Sequence, residues 1–172
     1  KKSPFALHRA TRHQITAHQY AYARIKEHNS EASVGWSTRA TTYIPRNPYS
    51  AWDTRVALRE AKRNNHRMLS RLLNNRSSAP VDFIGLSYFG QRTVSMKWRS
   101  PQSSFVRYSV RKTTVPELSP CPEGLAALLD DYKQYRLPIL ITGNGYPQGT
   151  DEDQCSYLID HVDVVQRALD DG

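Results

Sequence analysis

The sequence predicts an α/β chain in which parallel strands are joined by crossover helices. Helix-like and strand-like apolar rhythms alternate along the chain, and the strand-like runs are separated by helical stretches rather than tight turns. The run Leu137-Pro138-Ile139-Leu140-Ile141-Thr142 is almost continuously apolar. That is the pattern of a strand covered on both faces.

The elements follow in order. From Ala6 to about His28, residues Ile15, Ala17, Tyr20, Ala21, Ala23 and Ile25 recur near a 3.6-residue period, which predicts a helix. Ala32 to Ser37 is a short β-prone run with Val34 and Trp36 on one side. Tyr43 to Tyr49 contains Pro45 and Pro48 and reads as an extended loop. Ser50 and Asp53 are start signals for a second helix running to about Leu73, with Val56, Ala57, Ala61, Met68 and Leu72 as its apolar stripe. Asn74 to Pro80 is a polar linker, and Val81 to Phe89 a strongly apolar strand.

Alternate apolar residues between Gly90 and Thr114 predict a β-hairpin excursion turning near 100–104. Pro122, Glu123 and Gly124 open a third helix that ends near Tyr135. Thr150, followed by Asp151, Glu152 and Asp153, caps a last helix reaching Asp171. One domain over residues 1–172 is expected, and 38% apolar residues suffice for a core.

Charge is unevenly spread. Residues 1–76 hold 15 Lys/Arg against 4 Asp/Glu, and residues 77–113 hold 6 against 1. Residues 114–172 reverse the sign, with 3 against 11. A basic part (1–113) joined to an acidic part (114–172) suits an anionic partner, RNA or an acidic protein, on one surface. Arg55, Arg59, Arg63, Arg67 and Arg71 recur every fourth residue. They form either a solvated helix face or a contact stripe for that partner. No basic-aromatic nucleic-acid motif of a recognised kind accompanies them.

No stretch approaches the roughly 20 apolar residues a membrane span needs. The first residues lack the apolar region of a secretory leader, and the first is not Met, which fits a trimmed precursor. An intracellular setting is the expectation. Cys121 and Cys155 lack metal-type spacing and are expected as free thiols. His13 and His18 lie five apart, a poor metal spacing, and Gly143-Asn144-Gly145 lacks the residues that frame a phosphate loop. Neither a metal nor a cofactor is expected.

Two segments carry a specific resemblance. Leu137-Pro138-Ile139-Leu140-Ile141-Thr142-Gly143-Asn144-Gly145 resembles the family 1 glycoside hydrolase signature L-P-I-x-I-T-E-N-G, and Asp82 to Phe89 resembles that family's D-F-[IL]-G-[LI]-N-Y-Y strand. Asp151, Tyr157-Leu158, His161-Val162 and Ala168 to Gly172 follow in the family's order. His13 to His18 is similar to its H-N-L-L-L-A-H helix, and Pro122 to Leu125 to its P-x-G-L helix opening.

The resemblance implies a partial TIM barrel, an incomplete (β/α)8 with about three parallel strands, their crossover helices and the hairpin excursion. A closed barrel needs eight strands. It also implies where chemistry would sit. Retaining glycosidases use two carboxylates about 5–5.5 Å apart, a nucleophile and an acid/base. The nucleophile's place in the motif is Gly143, and the T-x-N-E-P motif that carries the acid/base is absent. Where the family has Asn and a nucleophile-contacting Tyr, this chain has Ser87 and Phe89. Gly143, Asn144, Ser87, Tyr88 and Phe89 are therefore expected as a vestigial site with no catalytic residue. An engineered nucleophile knockout would have left the asparagine and tyrosine in place.

The leading expectation is a catalytically inactive structural or interaction subunit. Its open, apolar sheet face would be covered by other protein subunits or by a second copy. The alternatives are a β-glycosidase fragment completed by another chain, and an RNA-binding accessory subunit.

Overall fold

The computed structural model describes residues 4–73, 81–96, 119–146 and 149–171. Helix α1 (Pro4–His28) leads into strand β1 (Trp36–Pro45), then α2 (Ala51–Ala61), a π-helical turn (Lys62–His66) and α3 (Arg67–Leu73). Strand β2 (Ile84–Val94), α4 (Pro122–Tyr132), a 3-10 turn (Lys133–Tyr135), β3 (Ile139–Asn144) and α5 (Asp151–Asp170) complete the order. The three strands form one sheet in the order β1-β2-β3, parallel throughout, as the alternating pattern predicts.

The helices start where the capping chemistry places them. Ser50 Oγ accepts the Asp53 backbone N–H at the head of α2, and Pro122 sits in the first turn of α4. Thr150 and Asp153 exchange side-chain and backbone hydrogen bonds in a capping box at α5. Asp53 also turns inward, accepting the backbone N–H groups of Asn47 (3.2 Å) and Met96 (2.7 Å).

Three sequence expectations are corrected. β1 continues through Pro45, so the stretch read as a loop from Tyr43 is partly strand. Its Pro costs nothing there, because it lies at the end of an edge strand. β2 runs on to Val94, past the point where a hairpin was expected to begin. A register shift opposite Thr41, with Gly90 at φ 134°, absorbs its extra residue. The rest of the expected hairpin, like the 74–80 linker, lies outside the described residues. The second helix is interrupted by the π turn.

The π turn carries a buried contact to the sheet. On the edge strand β1 the backbone groups of Trp36 and Arg46 point toward β2, so by alternation those of Thr41 point away from it. Asn65, in the π turn and 1% exposed, supplies the missing partners. Its Nδ2 donates to the Thr41 carbonyl (2.9 Å), and its Oδ1 accepts the Thr41 N–H (3.2 Å). The Tyr132 hydroxyl of α4 donates to the Asn65 carbonyl at 2.9 Å. A buried backbone pair is thus satisfied by one side-chain amide.

The main core lies between the sheet and its helices: Ala40, Ile84, Leu86 and Tyr88 from the strands meet Leu69, Leu125, Leu128, Leu129, Tyr132 and Val164. Gly124 lets α4 reach the sheet, since a Cβ there would lie against the Tyr88 hydroxyl and 2.7 Å from Thr42 Oγ1. α1 is held at the strand entries by Asp82. This carboxylate accepts the Val34 N–H (2.8 Å) and the Tyr22 hydroxyl (2.9 Å) and pairs with Lys26 (3.0 Å). The Val34 N–H, then Lys26 and Tyr22, hold its pKa below the usual carboxylate value.

His18 packs edge-on against Trp36, and His161 stacks on Tyr157 at 3.8 Å. His161 Nδ1 donates to the Tyr157 carbonyl at 2.6 Å, which fixes the neutral tautomer. Burial lowers the pKa of both histidines.

Replacing Asn65 by Ala orphans both Thr41 backbone groups, and each buried orphan costs roughly 1–3 kcal/mol. We expect a lower urea midpoint with an unchanged denaturant slope. Gly124→Ala is expected to cost about 1–3 kcal/mol through overpacking, read in the same titration. Stability should also fall on acidification. His18 and His161 have folded pKa values below their unfolded ones, so protons favour the unfolded chain as pH drops through the histidine range. The contribution of Asp82 is present above the ordinary carboxylate pKa and disappears as pH falls through its depressed folded value. Thermal melting at pH 7, 5.5 and 3 tests this, and an unchanged Tm between pH 7 and 5.5 would contradict the histidine part.

Candidate functional site

The register brings the expected positions together. Ser87 lies opposite Gly143 and Tyr88 opposite Asn144, just beyond a shift that leaves Thr142 as an extra residue on β3. A Cβ on residue 143 would sit 3.1 Å from Ser87 Oγ and 3.4 Å from Phe89 Cζ. Gly143, Ser87 and Phe89 are therefore neighbours on the sheet face away from the main core. The two side chains close over the space in which a larger residue at 143 would begin.

Strand alternation separates Tyr88 from this group. It is fully buried on the opposite face, and its hydroxyl donates to the Cys121 carbonyl at 2.8 Å. Burial raises its pKa well above the ordinary tyrosine value. Tyr88 is a core residue and not part of the vestigial face, which corrects its inclusion. Asn144 spans the two strands, its Nδ2 donating to the Tyr88 carbonyl at 3.2 Å. Beyond it, Tyr146 stacks on Tyr157, whose hydroxyl is pushed up to about 12 by burial, against the opposing pull of Asn144 and the Gly145 backbone.

The same face carries residues that the sequence reading missed. Thr142 Oγ1 lies 3.1 Å from Ser37 Oγ and 3.0 Å from Ser87 Oγ, so three hydroxyls from three strands form one chain. The Arg39 guanidinium stands over the Phe89 ring, 5.1 Å from its centroid. Extending the alternation of Trp36 through Pro45 would have placed Ser37 and Arg39 here. The β-prone run read from the sequence stops at Ser37 and misses the strand's continuation past it.

The exposed sheet face is accordingly not the apolar surface that was expected. Leu140, 54% exposed, is its one large exposed hydrophobic residue among those described. β3 is thus not covered on both faces, because no further strand or opposing sheet face lies over it among the described residues.

Chemically this face can donate and accept hydrogen bonds through Ser37, Ser87 and Thr142, and it carries one cation at Arg39. Ser87, Phe89, Gly143 and Asn144 include no ionisable group. Two acids are engaged in other contacts: Asp131 with His66 at 2.6 Å, and Asp153 in the α5 capping box. Cys121 and Cys155 are free thiols. Among the described residues no helix is long and apolar enough to cross a membrane.

The arginine row belongs to a separate surface, on α2, the π turn and α3. Arg55 and Arg59 lie with Trp52, Val56, Glu60, Arg63 and Met96 around a cavity of about 320 Å³. Arg59, Arg63, Arg67 and Arg71 border a second of about 420 Å³.

No family model matches the chain. It is 29% identical to a β-galactosidase of Sulfolobus acidocaldarius over 92% of this chain and 36% of that relative. A β-glycosidase from Pyrococcus horikoshii superposes with a TM-score of 0.81 at 23% identity, covering 99% of this chain and 42% of that one. The hyperthermophilic β-glucosidase from Pyrococcus furiosus gives 0.73 at 25% identity, over 99% and 37%. The chain thus spans about two fifths of the length of these relatives. In sequence and fold the chain is similar to part of these β-glycosidases, and its three parallel strands with their helices match a partial (β/α)8 barrel.

Proposed function

We propose that this chain is a non-hydrolytic, glycosidase-like interaction piece that works inside a larger assembly. One observation carries the reading. Residue 143, which occupies the nucleophile's place in the resembled motif, is a glycine packed beside Ser87 and Phe89. Double displacement at a sugar needs a carboxylate to attack the anomeric carbon and a second group to protonate the leaving oxygen. Glycine can do neither, and Phe89 has no hydroxyl with which to orient a carboxylate.

The sheet edges support the interaction half of the reading. Among the described residues β1 and β3 each have only β2 as a neighbour, which leaves one side of each open. Natural sheets pair or cover such edges. The hydroxyl chain Ser37–Thr142–Ser87 and the exposed Leu140 suit a partner surface of mixed polarity, from another subunit or a second copy. The same open edges favour a second reading, in which the missing barrel strands come from another polypeptide and the completed barrel binds or cleaves β-glycosides.

The purified chain should release no nitrophenol from an aryl β-glucoside above the buffer rate, and Gly143→Glu should not restore release, because no acid/base partner accompanies it. Turnover that depends on this polypeptide would overturn the first reading. Gel filtration tests the interaction half: association is expected, and a well-folded monomer at all concentrations would count against it.

A further inference from the structure

The five arginines do more than share a spacing. In an α-helix each four-residue step winds a side-chain row about 40° around the axis, so five such residues would spiral away from one another. The π turn at Lys62–His66 falls in the middle of the row. Being wider than an α-turn, it takes back part of that rotation. Arg59 and Arg63 consequently border both cavities, which joins Arg55 at one end to Arg71 at the other along one groove. Successive arginines are about 6 Å apart along the axis.

Arg55, Arg59 and Arg63 are exposed, and Arg67 and Arg71 half-buried. Among the described residues no carboxylate forms an ion pair with Arg55, Arg63, Arg67 or Arg71. The one acid lining the groove, Glu60, accepts a hydrogen bond from Asn64 at 3.1 Å. At the same end lies Trp52, half-exposed, its indole bordering the cavity beside Arg55 and Met96. A row of guanidinium groups leading to an accessible aromatic ring combines the two elements that hold single strands: charge along the backbone and a face for a base. An acidic peptide would use the charge and leave the ring unexplained.

We propose that the α2–α3 groove binds single-stranded nucleic acid, with phosphates along Arg55 to Arg71 and a base stacked on Trp52. The test is fluorescence anisotropy of a labelled 12-nucleotide oligouridylate, titrated with the full chain between 50 and 300 mM salt. Affinity should fall with salt at a log–log slope of about −2 to −4, as expected for three to five neutralised phosphates on a single strand.

The triple variant Arg55→Gln, Arg59→Gln, Arg63→Gln should flatten that slope by about 2, whereas the matching Lys triple should keep it. Trp52→Ala should weaken binding about 5- to 150-fold at every salt concentration, and Trp52→Phe should retain most of it. Far-UV circular dichroism and the urea midpoint confirm that each variant is folded. No anisotropy change at 50 mM salt, unaltered affinity in the folded Gln triple or Trp52→Ala variants, or equal competition by polyglutamate would each overturn the proposal.

Discussion

The Asn65 amide against the Thr41 peptide is the contact on which the arrangement of the molecule depends. At the edge of a sheet, alternate residues direct a backbone N–H and C=O away from the neighbouring strand, and where these are buried each needs a partner. Asn65 provides both from within the π turn. The Tyr132 hydroxyl then binds the carbonyl of the same residue and draws in α4. One polar contact thereby fixes how α2 and α3 lie on the sheet, how α4 meets them, and which way the arginine row faces.

The two faces of the sheet obey different constraints. The face toward the helices is packed with Ala40, Ile84, Leu86 and Tyr88, and has little room to change: Gly124 is needed simply to let α4 approach. In a closed barrel the other face would be filled by side chains from several strands. Here it carries hydroxyls, an arginine over a phenylalanine, and a glycine where the resembled family uses a carboxylate. Small hydroxyl residues that bond to one another tolerate water on this side far better than stacked aliphatic chains would. A surface of that composition keeps the sheet compatible with solvent or with a polar partner.

Charge adds a second layer. Within the basic residues 1–113, Arg55, Arg59, Arg63, Arg67 and Arg71 border two adjoining cavities, the first of which also meets Trp52. Lys26, by contrast, is consumed by Asp82 in holding α1 to the strand entries. Arginines on α2 and α3 have the reach and the fixed donor fork to engage phosphate or carboxylate without leaving the surface.

Much of this was legible in the sequence. Ser50, Pro122 and Thr150 marked three helix starts because capping is a local interaction between residues one turn apart. The three strands and their parallel order followed from apolar rhythm, and Gly143, Ser87 and Phe89 could be placed in one site from motif order alone. What the sequence could not determine depended on contacts between distant residues. The π turn brings Asn65 to Thr41, 24 residues away in the chain. Tyr88 faces the core with Ile84 and Leu86 by strand alternation, while Ser37 and Arg39 come to lie by Thr142 and Phe89 because β1 is paired beside β2. Local chemistry determined the elements; pairing register, a property of two strands at once, decided which side chains meet.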